Sequence, residues 1–402
     1  MKRAARTLAT LAVLVAAAPA AAAGAAERPP DVGTAAAAIV VDGRNGEVMF
    51  TKSADSRRAI ASTTKLMTAL LGLERARPRQ VFTAPPYHAL PPESRIDLRA
   101  GERMTVHDLL EALLLESAND AAATLAEGIS GSRDAFVADM NERATDLGLD
   151  DTSYANPIGL DDPANYSTAR DLAALSLRLM RRPRFRRIVD MPAAELKSGA
   201  RPRVVDNRND LVARYPWVTG IKTGHTIQAG DVLVGSARGR DGAKVITVVL
   251  GEPSEAARDA DTLTLLRWGL GRFHRVRALD PRRPLARADI ECRDERAALV
   301  PRRPALVLVR DGERIRRRVR APDELEGPLP EGRRVGSVTV LVDGKPIRRV
   351  PLVTGADVPG AGTLTVLTSV VGVPLTLLAG LAILLAAVLV ALRIRLRLRL
   401  VR

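Results

Sequence analysis

Residues 54–74, ADSRRAIASTTKLMTALLGLE, place a serine and a lysine at the start of an apolar helical repeat. The spacing of the apolar side chains predicts a helix over residues 62–73. Ser62 and Lys65 are three positions apart, so on a helix the ammonium group lies beside the hydroxyl. A serine hydroxyl becomes a nucleophile when a base takes its proton, and a lysine with a lowered pKa can be that base. A plain helix N-cap also suits this serine, and the segment alone leaves both interpretations open.

Two further short motifs carry polar side chains that such a nucleophile could use. Ser117-Ala118-Asn119 lies in LLLESANDAA, where a turn between two helical runs of the segment 105–129 would project both polar side chains inward. Lys222-Thr223-Gly224 lies in the strand-like stretch WVTGIKTGHT. An ammonium group and a hydroxyl on an edge strand can hold a carboxylate, and a glycine leaves room for a substrate backbone alongside.

A second Lys-Ser-Gly triplet occurs at Lys197-Ser198-Gly199. It follows Pro192 and is followed by Arg201-Pro202, which is typical of a loop rather than of a central strand. We therefore assign the substrate strand to Lys222-Thr223-Gly224.

Strand-like segments at the two ends of residues 36–272 enclose a series of helices. The strand-like segments are 36–50, which reads as two strands around a Gly-Arg-Asn-Gly turn, 232–237 and 243–250. Helices are predicted at 62–73, 105–129, 133–147, 168–182 and 259–271. This order predicts one α+β domain whose first and last strands pair in a shared sheet.

Residues 273–355 have a different composition, with short apolar segments separated by Gly, Pro and Asp turns. Strands are predicted at 305–309, 314–319, 335–342 and 345–352. No long helical period occurs in this region, so we expect a small all-β domain.

The two ends of the chain have the composition of export and membrane segments. Residues 1–26 have a basic start, a short apolar core and a run of small residues, which is typical of a signal peptide, and 27–35 read as a linker. Residues 364–392 contain no charge and are long enough to form a transmembrane helix. The Arg-rich residues 393–402 then predict a basic cytoplasmic tail. We expect a single-pass protein of the cell membrane with an extracytoplasmic catalytic domain.

The location of the positive charge argues against a nucleic-acid-binding surface as the reason for the net charge of +15. Aromatic residues make up 3% of the chain, which leaves few rings for stacking on bases. The positive charge concentrates in the two terminal segments and in residues 272–355, so we expect no nucleic-acid partner. Cys292 is the one cysteine, and no Cys/His cluster has zinc spacing. We expect neither a metal nor another cofactor.

The ordered set S-x-x-K, S-x-N and K-T-G is the signature of penicillin-binding proteins and related serine β-lactamases. Over about residues 36–272 the chain resembles the low-molecular-mass D-alanyl-D-alanine carboxypeptidases, peptidase family S11. The stretches that carry the resemblance are IVVDGRNGEVMF, ADSRRAIASTTKLMTALLGLE, MTVHDLLEALLLESANDAAATLAE, YANPIGLDDPANYSTARDLA, RYPWVTGIKTGHTIQAGDVLVGSA and ARDADTLTLLRWGL. The resemblance implies a serine β-lactamase/transpeptidase-like fold, an antiparallel sheet flanked by helices, followed by a small all-β domain. A fully apolar C-terminal span departs from the amphipathic anchor of most members.

The resemblance implies a reaction and a role for each motif residue. A peptidoglycan stem peptide ending in D-Ala-D-Ala would acylate Ser62 and release the terminal D-alanine, with Lys65 as the base. Ser117 would relay a proton toward the leaving amine, and Asn119 would orient the lysine and the substrate amide. β-Lactams would be covalent inhibitors that react with the same serine.

The remaining implied roles concern substrate binding. Lys222 and Thr223 would bind the terminal carboxylate with the help of Arg258. The backbone N–H of His225, together with that of the nucleophilic serine, would form the oxyanion hole. Gly224, which has no side chain, would leave room for the substrate beside the strand.

Other functions fit the sequence less well. The class of β-lactamase with this motif order uses a glutamate as deacylation base, whereas YANPIGLDDPANYST has Asp161 and Asp162 but no glutamate. An inactive homologue that binds the cell envelope is disfavoured because every motif residue is present. The sequence leaves open the balance between carboxypeptidase, endopeptidase and transpeptidase outcomes.

Overall fold

Of the 402 residues, the computed structural model describes 15–17, 29–90, 93–360 and 373–399. From the predicted signal peptide only Val15–Ala17 is described, as strand β1, and the rest of that peptide lies outside the described residues. The chain divides into two compact units. The first is Ala25–His274, and the second joins Met1–Gly24 to Arg275–Arg402.

The first unit is built on a five-stranded antiparallel sheet. Its strands, in order across the sheet, are β10 (Val218–Thr226), β11 (Gly230–Arg238), β12 (Lys244–Glu252), β2 (Ala37–Asp42) and β3 (Val48–Lys52). Strand β2 pairs with β12, from Ala37 opposite Leu250 to Asp42 opposite Val245. The predicted pairing of the first and last strands is confirmed, and the strand with the Lys-Thr-Gly motif is an edge strand.

Helices lie on both faces of this sheet, some in direct contact with it and others packed on those helices. They are α1 (Lys65–Arg75), α2 (Val106–Glu111), α3 (Asn119–Ser130), α4 (Arg133–Asp146), α5 (Ala169–Met180), α6 (Pro183–Val189), α7 (Leu211–Arg214) and α8 (Glu255–Gly271). Ile39 and Val41 belong to the main apolar core, which includes the buried residues of α1 and α5. Val40 lies on the opposite face, close to Gly269 of α8. Burial on both faces explains why β2 is apolar without alternation.

Two helical predictions differ from the structure at the motif residues. The first helix begins at Lys65 and follows a 3-10 turn over Ala61–Thr64. The run predicted over 105–129 contains a π-helical turn at Ala112–Glu116. After this turn Ser117 adopts a left-handed φ of 64°, and a new helix starts two residues later. Such π turns within α-helices are frequently found at functional sites.

The closing helix begins earlier than predicted, at Glu255 rather than Asp259. The side chain of Ser254 accepts a hydrogen bond from the N–H of Ala257, which caps the helix N-terminus. The first turn of this helix is polar, so the spacing of apolar residues does not indicate where the helix begins.

The segment predicted as a linker packs against the first unit where it is described, at residues 29–35. Val32 and Ala35 are buried. Thr34 Oγ1 donates a hydrogen bond to the carboxylate of Glu252 at 2.7 Å. These residues are therefore part of the folded unit.

Short two-stranded sheets hold the surrounding loops. They are β4 (Arg58–Ala59) with β7 (Tyr166–Ser167), β5 (Val81–Thr83) with β6 (Arg103–Thr105), and β8 (Ala193–Leu196) with β9 (Arg203–Asp206). The rejected triplet Lys197-Ser198-Gly199 lies in the turn between β8 and β9, off the main sheet. There Ser198 donates from its backbone N–H and from Oγ to the carboxylate of Asp108, both at 2.6 Å.

The second unit is a β-structure with its own apolar core. Its strands are β13 (Phe273–Leu279), β14 (Ala286–Ile290), β15 (Arg296–Pro301), β16 (Ala305–Arg310), β17 (Ile315–Arg320), β18 (Glu324–Leu325), β19 (Arg334–Val342) and β20 (Lys345–Thr354). One sheet has the order β1-β17-β19-β20-β15-β14-β18, and β13 pairs with β16. The four predicted strands are confirmed. The sequence patterns missed β13, β14 and β15, because small Ala side chains and interleaved Arg weaken their apolar alternation. They also missed β18, which is only two residues long.

A single long helix, α9, spans Val373–Arg399. Its segment Leu377–Arg395 has a mean hydropathy of 2.7, and none of it is buried. At 1.5 Å per residue these 19 residues extend about 28 Å, close to the thickness of a bilayer's hydrocarbon core. The first residues of the predicted span, 364–372, lie outside the described residues. The helix continues into the segment predicted as the basic tail.

Candidate active site

The serine and lysine of the first motif are in direct contact. Ser62 lies within the 3-10 turn, and Lys65 is the first residue of α1 and is fully buried. Lys65 Nζ is 2.8 Å from Ser62 Oγ and donates a hydrogen bond to the carbonyl oxygen of Ile158 at 2.5 Å. The N-cap of α1 is Thr64, and no side chain caps this helix. The capping interpretation of Ser62 is therefore wrong.

The environment of Lys65 favours a neutral amine. Burial lowers the pKa of Lys65 well below its ordinary value, and the positive charge of Lys222 lowers it further. The negative charge of Glu93 acts in the opposite direction and raises it. Because the net shift is downward, the neutral amine, which can accept a proton from a neighbouring hydroxyl, is favoured relative to an exposed lysine.

The loop between α4 and β7 brings a carbonyl group to the lysine. Asn156 Oδ1 accepts a hydrogen bond from the N–H of Gly159 at 2.7 Å, which closes the loop and presents the Ile158 carbonyl to Lys65. Gly159 has a φ of 88°, and a Cβ at this position would lie 2.1 Å from the carbonyl oxygen of Ala61. Only glycine permits this approach to the turn that carries the serine.

The second motif forms the junction between the π turn and α3. Ser117 and Asn119 are both 5% exposed, and Asn119 is the first residue of α3. Asn119 Nδ2 donates a hydrogen bond to Glu93 Oε2 at 2.7 Å, and the hydroxyl of Tyr87 donates to the same oxygen. Burial alone would raise the pKa of Glu93, but the hydrogen bonds from Tyr87 and Asn119 lower it overall. The ionised carboxylate of Glu93 therefore contacts the side-chain amide of Asn119.

The third motif lies on the edge strand β10, next to the serine. Lys222 is 1% exposed, and its Nζ donates to the carbonyl oxygen of Thr223 at 2.9 Å. Burial lowers the pKa of Lys222 to about 7, and the charges of Arg208 and Arg258 add to this effect. A Cβ on Gly224 would lie 2.8 Å from the backbone nitrogen of Ser62. The absent side chain thus lets β10 approach the backbone of the serine turn.

Asp231, which no sequence motif indicated, contacts the two remaining predicted site residues, His225 and Arg258. Asp231, on β11, lies 3.2 Å from His225 Nδ1 and 3.6 Å from a guanidinium nitrogen of Arg258. The side chain of His225 is 64% exposed, whereas that of Arg258 is 4% exposed. Arg258 also pairs with Asp259 at 2.9 Å. The structure therefore brings both predicted residues to the end of β10 at which the Lys-Thr-Gly motif lies.

Asp161 lies in the stretch that lacks the glutamate of a β-lactamase, and its carboxylate contacts the end of β10. Asp161 Oδ1 accepts a hydrogen bond from Thr226 Oγ1 at 2.6 Å, and Asp161 Oδ2 accepts one from the backbone N–H of Gln228 at 3.2 Å. Thr226 is the last residue of β10, and Gln228 lies in the turn between β10 and β11. Asp161 thus holds this hairpin turn.

A histidine outside the motif site also lies among acidic groups. His107, Asp108 and Glu111, on α2, bring possible ligand atoms within 4.8 Å of one another. Asp108 already accepts the two hydrogen bonds from Ser198. His107 Nε2 is 3.4 Å from Glu111. This group belongs to α2 and its contact with the β8–β9 turn.

Two family models cover the two units. One, described as D-alanyl-D-alanine carboxypeptidase, matches residues 23–254, and the other, described as the C-terminal domain of penicillin-binding protein 5, matches residues 293–360. The chain belongs to the D-alanyl-D-alanine carboxypeptidase family. The resemblance to peptidase family S11 and the predicted two-part fold are confirmed.

Individual members of the D-alanyl-D-alanine carboxypeptidase family align over most of the chain. DacA of Escherichia coli K12 is 30% identical over 381 residues, 89% of this chain and 93% of that protein. DacF of Bacillus subtilis is 28% identical over 348 residues, 84% of this chain and 89% of that protein.

Solved structures are similar over both units or over the first one. Penicillin-binding protein 5 of Haemophilus influenzae has a TM-score of 0.59 at 29% identity and covers 83% of this chain and 99% of its own. The Streptomyces K15 DD-transpeptidase has a TM-score of 0.57 at 32% identity and covers 61% of this chain and 100% of its own.

Proposed function

We propose that Ser62 is the nucleophile with which this serine-type D-alanyl-D-alanine carboxypeptidase removes the terminal D-alanine from peptidoglycan pentapeptides. The observation that carries the proposal is the 2.8 Å separation of Ser62 Oγ from Lys65 Nζ. Lys65 is fully buried, and its pKa is lowered by burial and by the charge of Lys222. A hydroxyl beside a neutral buried amine is an activated nucleophile.

In the acylation step, Lys65 takes the proton from Ser62 Oγ, and the oxygen attacks the carbonyl carbon of the penultimate D-alanine. The tetrahedral intermediate then collapses, and the bond from that carbon to the terminal amide nitrogen breaks. The departing D-alanine takes up a proton that passes from Lys65 by way of Ser117. Asn119 orients the lysine and the substrate amide.

The edge strand β10 binds the substrate during this step. Its outer edge is unpaired in the sheet, so an extended peptide can pair with it. The backbone N–H groups of Ser62 and His225 form the oxyanion hole, and the close approach at Gly224 supports this assignment. Lys222 and Thr223 bind the terminal carboxylate.

Arg258 adds positive charge for the same carboxylate. Its guanidinium group is almost fully buried and lies 3.6 Å from Asp231. Its charge also lowers the pKa of Lys222, which places the two cations near each other. A carboxylate that enters between them interacts favourably with both cations.

Deacylation completes the cycle. Water attacks the ester carbonyl, the bond to Ser62 Oγ breaks, and the serine regains its proton. The product peptide is shorter by one D-alanine. β-Lactams acylate the same oxygen, and their acyl-enzyme is hydrolysed slowly.

Release of free D-alanine from a synthetic pentapeptide tests the proposal. We expect Ser62→Ala to abolish release by the purified full chain, whereas the exposed control Ser56→Ala leaves it unchanged. Release by Ser62→Ala at the wild-type rate would refute the assignment, and no release by the wild type would favour an inactive envelope-binding homologue. Mass spectrometry of the products separates hydrolysis from transfer to an amine.

We further propose that α9 anchors the protein in the cell membrane, with residues 1–26 removed as a signal peptide and 393–402 cytoplasmic. The apolar, fully exposed segment Leu377–Arg395 supports a span. The Arg-rich end of the helix favours a cytoplasmic C-terminus. Both folded units are then extracytoplasmic.

The single cysteine provides a native probe of this topology. Cys292 belongs to the second unit and is partly exposed. An impermeant maleimide is expected to label it on intact cells. With Cys292→Ser combined with Arg402→Cys, labelling is expected only after permeabilisation, and the reverse pattern would contradict the topology.

A further inference from the structure

A large cleft lies at the end of the main sheet opposite to the serine. Its volume is about 790 Å³, and it is lined by the β2–β3 turn, by helices α5 and α6, and by the near ends of β10, β11 and β12. Thr219 lines the cleft, and Thr223 of the carboxypeptidase site lies four residues further along β10. At about 3.3 Å per residue this separation is about 13 Å. The cleft is therefore distinct from the site of peptide cleavage.

Basic side chains dominate the lining. They are Arg44, Arg181, Arg186, Arg187, Arg238 and Lys244. Asp190 is the one acidic residue among the described residues that line the cleft, and it lies 3.7 Å from Arg238. Arg44 is paired with the buried Asp42 at 2.6 Å. The balance of charge in the cleft is strongly positive.

Four of these cations have no acidic partner. Within the described part of the chain, Arg181, Arg186, Arg187 and Lys244 form no ion pair, and all four are exposed around the cleft. Like charges gathered without counter-charges destabilise a fold slightly, and a concave surface of one sign concentrates counter-ions. The arrangement suits an anion that enters from solvent.

The floor of the cleft carries buried hydroxyl groups. Thr219 Oγ1 and Ser236 Oγ are 2.8 Å apart, and both residues are almost fully buried. One hydroxyl hydrogen suffices for this contact, so the other can be donated to an acceptor in the cleft. The pairing of β10 with β11 is irregular between Val218 and Ile221, which places Thr219 in a bulge. Bulges commonly redirect side chains next to binding sites.

We propose that this cleft binds a ligand that carries phosphate groups. Guanidinium groups match phosphate oxygens with paired hydrogen bonds, and a hydroxyl donor on the floor adds a further contact. The volume exceeds that of one phosphate, so the ligand carries either more than one phosphate or an attached organic group. A soluble phosphate compound and an anionic lipid headgroup share this chemistry.

Calorimetric titration of the full chain in neutral detergent tests the proposal, with inorganic pyrophosphate and short-chain phosphatidylglycerol as probes. Pyrophosphate binding alone assigns a soluble ligand, and phosphatidylglycerol that competes with pyrophosphate assigns a lipid. Lys244→Glu and Arg187→Glu are each expected to weaken binding about tenfold or more, because each removes a charge-assisted contact. Ser236→Ala should weaken it by a smaller factor.

Matched controls lie next to each position. Arg240→Glu, in the same turn as Lys244, and Arg184→Glu, on the same helix as Arg187, change charge equally outside the lining. They should leave binding nearly unchanged, and D-alanine release by all variants should match the wild type. Absence of binding by the wild type, equal losses in controls and cleft variants, or equally tight binding of malonate would each overturn the proposal.

Discussion

Asn119 donates its Nδ2 hydrogen to the carboxylate of Glu93 at 2.7 Å, so a residue of the second motif is held by a side chain from a distant loop. Tyr87 donates to the same carboxylate oxygen. The contact determines which end of the Asn119 amide faces the glutamate. Glu93 also raises the pKa of Lys65, although burial and Lys222 lower it by more. Glu93 is therefore a positioning residue that acts through Asn119 and Lys65.

Replacing Glu93 by glutamine should change both the rate and its pH dependence. Because the negative charge raises the pKa of Lys65, its removal lowers that pKa, and the acidic limb of kcat/KM should move to lower pH. Loss of the charged hydrogen bond should reduce kcat/KM about fivefold, or about 1 kcal/mol. Glu142→Gln, an exposed glutamate, serves as the control. A lower rate with an unmoved acidic limb would limit Glu93 to a structural role.

The pKa of Lys222, lowered to about 7 chiefly by burial, predicts a pH-dependent substrate affinity. In the proposed mechanism the ammonium form binds the terminal carboxylate, and this form declines as pH rises through about 7. We expect the KM of a D-Ala-D-Ala peptide to rise over that range, while an analogue with an amidated C-terminus shows no such rise. Equal pH profiles for the two substrates would exclude Lys222 as the carboxylate ligand.

The same lysine should limit stability below neutral pH. Its pKa is about 7 in the folded chain against an ordinary value of 10.5, so the unfolded chain binds the proton more tightly. The resulting penalty is complete below pH 7, shrinks between 7 and 10.5 and vanishes above. Lys222→Met should therefore stabilise the fold most at low pH, by at most about 5 kcal/mol at about 1.4 kcal/mol per pKa unit. Thermal unfolding against pH, with the exposed Lys197→Met as control, measures the difference.

The sequence predicted those parts of the site that depend on local spacing. Ser62 and Lys65 meet because a helical turn brings residues three apart together. The position of Lys222 on a strand followed from the strand-like stretch around it, and the sheet order makes this strand an edge strand. Such features need no knowledge of distant contacts.

Contacts between distant segments could not be predicted in this way. Glu93 reaches Asn119 across 26 residues, and Asp231 links His225 to Arg258 only because β11 and α8 pack together. The π turn before Ser117 lies in the run ALLLE, which suits an α-helix equally well, so its interruption depends on the tertiary environment.

Gly224 should be intolerant of any side chain. A Cβ there would lie 2.8 Å from the backbone nitrogen of Ser62 and would push β10 away from the oxyanion hole. Gly224→Ala should lower both D-alanine release and penicillin acylation by about a hundredfold, the usual cost of losing one oxyanion donor. Gly271→Ala, at a position with open space, is the matched control. Undiminished acylation by Gly224→Ala would argue against the proposed oxyanion hole.

The role of Asp161 tests whether this chain hydrolyses its acyl-enzyme in the manner of a β-lactamase. The carboxylate of Asp161 accepts hydrogen bonds from Thr226 and Gln228, so it holds the β10–β11 turn. Asp161→Asn should leave the slow release of penicilloate unchanged and lower stability by about 1 kcal/mol, because asparagine keeps one acceptor oxygen and loses one exposed hydrogen bond. Asp162→Asn, its neighbour, should change neither. Mass spectrometry of the acyl-enzyme over time measures the release, and a much longer acyl-enzyme lifetime in Asp161→Asn alone would mean that Asp161 activates the hydrolytic water.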